Sequence, residues 1–71
     1  MDKQFYRTLL LLVNDKDVMS KVHSYVAARV EVLRSQLEIT QNIETICAIQ
    51  GAIRELRRLE TLRDEVLKGA E

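Results

Sequence analysis

The chain of 71 residues has no proline and no tryptophan, two glycines, one cysteine and one histidine. A single cysteine, Cys47, closes no internal disulfide, which excludes a stapled secreted mini-protein. His23 is the only other soft metal ligand, so one chain cannot build a His/Cys zinc site. Gly51 and Gly69 stand alone, and no phosphate-cradling glycine loop exists. Net charge is also missing: eleven Lys and Arg balance eleven Asp and Glu. Dedicated nucleic-acid and membrane-surface proteins usually carry a basic excess, and this chain has none. The longest apolar run, Leu9 to Val13, is far short of the roughly 20 residues a membrane span needs. It also makes a poor signal peptide, because Asp2, Lys3 and Arg7 precede it and Asn14-Asp15-Lys16-Asp17 follows.

What is present is 46% hydrophobic and 31% charged residues, outside the regime of intrinsic disorder. One small domain over residues 1–71 is expected. A chain of this size buries only about 60% of the surface it exposes unfolded. With no disulfide and no metal to help, self-association is the remaining route to stability.

Periodicity divides the chain into three helical segments. Lys3 to Val13 reads as a short helix, with Phe5, Leu9 and Leu12 on one side and Tyr6, Leu10 and Val13 beside them. Asn14 to Asp17 breaks the pattern, and Asp15 or Asp17 suits an N-cap. Asp17 to Glu38 carries a stripe of Val18, Val22, Val26, Val30, Leu33 and Leu37, widened by Tyr25 and Val32. Ile39-Thr40-Gln41-Asn42 is the weakest helical stretch, and Thr40 or Asn42 suits a new cap. The competing reading is one rod from Asp17 to Lys68, on the order of 78 Å long, stable only in a coiled-coil oligomer.

The third segment, Asn42 to Lys68, has Ile43, Ile46, Ile49, Ile53 and Leu56 as its stripe. Leu56, Leu59 and Leu62 then follow at spacing three, so the apolar face rotates around the helix. Leu59, Leu62 and Val66 consequently need cover that one neighbouring helix cannot give, and self-association is assigned to them. A turn near Thr40 sets Ala27-Ala28 opposite Gly51-Ala52, which predicts a close helix approach at Gly51. Gly69 marks a stop.

Candidate chemistry is sparse. In the same register Cys47 faces Leu33, about ten residues along from His23, so no Cys–His pair forms. Cys47 is expected to pack as a small apolar residue, and His23 to be partly exposed. Glu60, Asp64, Arg63 and Lys68 read as a solvated charge network. Arg54, Arg57 and Arg58 share one helical face and are the candidate partner-binding residues, since Arg suits bidentate pairing with carboxylate or phosphate. Salt bridges to Glu55, Glu60 and Glu31 are the competing explanation. Neutral net charge and the lack of an aromatic stacking platform weigh against nucleic acid. No catalytic residue, metal or cofactor is assigned.

The run Gln50-Gly51-Ala52-Ile53-Arg54-Glu55-Leu56-Arg57-Arg58-Leu59, after the amphipathic stretch from Val22 to Leu37, resembles small helical proteins encoded by tailed bacteriophages. Those are often found among head-assembly genes. The resemblance brings no functional residues with it. It implies a virion or assembly component, or a small protein acting on a host factor, located in the cytoplasm of a bacterial host or in the virion. Together these readings predict an all-α fold: a long antiparallel helical hairpin with a short N-terminal helix, self-associating. They predict a non-enzymatic interaction protein whose partners are itself and another protein.

Overall fold

The structure, a computed structural model, describes residues 1–71. It is all-helical, with no strand. The elements are α1 (Lys3–Thr8), α2 (Leu10–Val13), α3 (Lys16–Ile39), α4 (Ile43–Arg58), a 3-10 turn (Leu59–Thr61) and α5 (Leu62–Gly69).

Three short polar side chains start the helices. The Asp2 carboxylate accepts from the Phe5 N–H at 2.8 Å, Asp15 from Val18 at 3.1 Å, and Asn42 from Thr45 at 3.1 Å. Each satisfies one of the N–H groups that a first helical turn leaves free. Asp15, rather than Asp17, is thus the cap of α3, and Asp17 sits in its first turn, where a negative charge suits the helix dipole. α3 stops at Thr40, which is extended and donates its hydroxyl to the Gln36 carbonyl at 2.6 Å. Asn42 is extended too. The continuous rod from Asp17 to Lys68 is therefore not formed.

Two expected helices are interrupted. Lys3 to Val13 divides at Leu9, whose N–H bonds Tyr6 three residues back, while the Thr8 hydroxyl donates to the Phe5 carbonyl at 2.6 Å. Such local bonds compete with the regular ladder. The bend turns Val13 inward and leaves Leu11 90% exposed. Asn42 to Lys68 divides at the 3-10 turn, where Thr61 leaves helical geometry and its hydroxyl donates to the Arg58 carbonyl at 3.0 Å. A 3-10 helix has three residues per turn. The spacing-three run Leu56, Leu59, Leu62 falls where the backbone adopts that period.

α4 and the 3-10 turn pack against α3, while α1 and α2 pack against α5. Val26, Val30 and Leu33 of α3 and Ile49 of α4 are buried. Val22, Leu37, Ile46, Ile53 and Leu56 are half-buried beside them. A second cluster holds Val13, Met19 and Val66, with Tyr6, Leu9, Leu10 and Leu62 against it. Met19 thus takes the inward place expected of Val18, and Val18, Tyr25 and Val32 are exposed. The rest of the stripe, Val22, Val26, Val30, Leu33 and Leu37, faces inward as expected, but it is narrower because α4 covers only one side of α3.

The close approach expected at Gly51 is found at Gly69, which also ends α5 as expected. A Cβ built at Gly51 meets nothing within 4 Å, and Ala27 and Ala28 are exposed, so no close helix approach occurs there. At Gly69 a Cβ would fall inside the Tyr6 ring. Gly69 is the last residue of α5, and its bare Cα is the surface on which α1 rests.

Gly51→Ala is expected to stabilise by about 1 kcal/mol, the helix-propensity difference in open space. Gly69→Ala is expected to destabilise by about 1–3 kcal/mol through overpacking. Urea denaturation of the two variants measures both, and equal midpoints would contradict the placement of Tyr6.

Candidate interaction surfaces

Arg54, Arg57 and Arg58 occupy the last turn and a half of α4, all exposed. They are not equivalent. Arg58 pairs with Glu55 at 3.5 Å and with Glu65 of α5 at 3.3 Å. Glu55, then Glu65, raises the Arg58 guanidinium above its ordinary value. The other Glu65 oxygen accepts from the Tyr6 hydroxyl at 3.1 Å. A single chain of polar contacts, Tyr6–Glu65–Arg58–Glu55, therefore ties α1, α5 and α4 together. Arg58 is committed to this brace, whereas Arg54 and Arg57 make no ion pair. Of the acceptors expected for the cluster, Glu31 pairs with Arg34 instead, and Glu60 pairs with nothing.

The residues assigned to self-association separate in the same way. Val66 is 0% exposed, wedged against Val13 and Met19. Leu62 is half-buried against that cluster. Val66 has no surface to offer a second molecule: the N-terminal helices of its own chain supply the cover expected from a partner. Leu59, 36% exposed, keeps an accessible face.

His23 lines an open groove with Lys16, Ser20, Ser24, Met19 and Arg63. Its ring makes no hydrogen bond, and Cys47 takes no part in the groove. Cys47 is exposed, against the expectation that it packs. The cause is angular: Ile46 and Ile49 bracket the line facing α3, and Cys47 stands about 100° beyond Ile46. No three His, Cys, Asp or Glu side chains gather to hold a metal ion, and no helix is long and apolar enough to cross a membrane.

One surface was missed. Val18, Tyr25, Val32 and Ile39 recur at intervals of seven along α3, and all four are exposed, Tyr25 by 63% and Ile39 by 82%. Seven residues are nearly two turns, so they form one line along the helix. The interval was visible in the sequence. Counting Val18 in the inner stripe, and Tyr25 and Val32 as its widening, hid the separate line. Compared with known proteins, the chain matches no family model, no curated protein and no solved structure.

Two measurements check this geometry. Burial, then the hydrogen bond and charge of Glu65, raises the Tyr6 hydroxyl above its ordinary value, with Arg58 opposing. A raised folded value favours the neutral phenol. Its stabilising contribution is thus complete below the ordinary tyrosine value, about 10, and is lost as pH rises from there through the raised value. Wild-type denaturation midpoints should fall above about pH 10 more steeply than those of Tyr6→Phe; parallel curves would contradict the contact. Separately, Cys47 should react at once with a thiol reagent in the folded protein, and Cys47→Ala should shift stability by no more than about 0.5 kcal/mol. Protection of the thiol until unfolding would contradict its exposure.

Proposed function

We propose that the chain is a non-enzymatic helical interaction protein that acts as a homo-oligomer, as an assembly or adaptor component. Its working body is an antiparallel hairpin of α3 and α4, turned at Gln41 and closed at the open end by α1, α2 and α5. The resemblance to small proteins of tailed bacteriophages supplies the setting, a bacterial host cell or a virion. Arg54 and Arg57, free of internal carboxylates, form a secondary contact for an acidic protein surface.

One observation carries this reading, the excess of surface. The chain exposes 5528 Å². A folded monomer of 8.2 kDa is expected to expose about 4,500 Å². The surplus, about 1,000 Å², is close to one partner's share of a standard interface. The Cα radius of gyration agrees at 15.0 Å, against about 11 Å for a compact domain of this length. Only seven of 71 residues are buried, so the chain has left much of its apolar surface for another molecule.

Sedimentation of the wild type from low micromolar to several hundred micromolar tests the reading. A dimer or larger species is expected across the range. A stable 8.2 kDa monomer at every concentration would overturn it.

A further inference from the structure

The surface that a second copy would cover can be specified, resting on the hairpin and self-association proposed above. On α3 the buried residues Val26, Val30 and Leu33 define the inward direction, and Val18, Tyr25, Val32 and Ile39 lie about 100° to one side of it. On α4 the inward line is Ile46, Ile49, Ile53 and Leu56, and the exposed Ala48, Ala52 and Leu59 lie to one side of that line. In two right-handed helices running in opposite directions, these two flanks fall on the same side of the pair. Arg54 and Cys47 fall on the other side, with His23 and Arg34.

The hairpin therefore has one apolar side and one polar side. Within the apolar side stand two cations, Lys21 between Val18 and Tyr25, and Arg29 between Tyr25 and Val32. Arg29 is exposed and makes no ion pair in its own chain. With the turn centred on Gln41, Arg29 is level with Ile53 and within one turn of Glu55, which borders the same side and, 3.5 Å from Arg58 of its own chain, is exposed enough to take a second cation.

This charge pattern selects the partner and its orientation. If α3 lay antiparallel on α3 of another copy about a central two-fold, Arg29 would approach Arg29, which is repulsive. If the two-fold instead runs parallel to the helices, α3 of each copy lies over α4 of the other, and Arg29 of each approaches Glu55 of the other. We infer that a second copy of this chain docks on the Val18–Tyr25–Val32–Ile39 side in this exchanged arrangement, completing a four-helix section.

The area suffices. An overlap about 24 Å long and about 20 Å wide gives on the order of 1,000 Å² over both copies before side-chain relief is counted. That is about 500 Å² per copy, at the threshold of about 1,000 Å² in total for a biological interface and about half of the surplus surface noted above. α3 is contacted by α4, by the 3-10 turn and, near its start, by α2, and Tyr25, Val32 and Ile39 are left exposed by all three.

Sedimentation of full-length variants, with circular dichroism to verify helicity, tests the inference. Tyr25→Glu combined with Val32→Glu should weaken self-association by at least about 100-fold, because two carboxylates would be buried unpaired. Ala27→Glu combined with Gln50→Glu, on the polar side, should leave it within about threefold, as expected of exposed charges. Arg29→Glu and Glu55→Arg should each weaken it by about tenfold, and the double variant should recover it. An oligomeric wild type indifferent to Tyr25→Glu and Val32→Glu would overturn the choice of face while leaving self-association standing. Failure of the charge exchange to restore association would overturn the exchanged orientation. A monomeric wild type would overturn both this inference and the reading it rests on.

Discussion

The fold depends on Val66. It is the point at which the two ends of the chain meet, fully enclosed by Val13 from the end of α2 and Met19 from the first turn of α3. Other features become intelligible from that contact. The bend at Leu9 brings Val13 to it, and the 3-10 turn brings α5. Tyr6 lies flat on Gly69 because α1 must approach α5 closely to cover Val66. The Tyr6–Glu65–Arg58 chain braces the same junction from its polar side.

Away from that junction the molecule is sparsely built. Val26, Val30, Leu33 and Ile49 are buried between α3 and α4, and nothing lies across either side of the pair at the Gln41 end. Domains usually bury each helix against neighbours in more than one direction. Here Tyr25, Val32 and Ile39 are left in water while Arg54 and Arg57 line the opposite side. The α3–α4 pair thus separates an apolar side from a charged one.

The outer limits of the three helical segments were readable, because those depend on local chemistry, but the breaks at Leu9 and at 59–61 were not. Asp15, Thr40 and Asn42 act through bonds to residues three or four away, and no distant contact is needed to foresee them. Val66 was legible as apolar but not as internal. Whether α1 and α2 or another molecule covers it depends on how far the chain folds back, which no local pattern encodes. Gly51 and Gly69 show the same limit: a glycine signals that space is needed, and only the tertiary structure shows which one has a ring against it. Cys47 was expected to pack because it is small and apolar, but the Ile46–Ile49 line faces α3 and leaves Cys47 outside, since an apolar residue type does not state which way it points.

The contacts at Val66 also impose an order of events during synthesis. The Tyr6 hydroxyl and its acceptor are 59 residues apart, and Arg7 reaches the Ala70 carbonyl across 63. On a ribosome, the Leu9–Val13 run is made about 50 residues before its covering helix, residues 62–69. The α3–α4 pair, joined through three residues, can close while the tail is still being made, because short loops cost little entropy to close. The N-terminal run stays wet until residues 62–69 have emerged. Crowding at high expression should therefore aggregate nascent chains through Leu10, Leu11 and Leu12 before the finished protein has any such tendency.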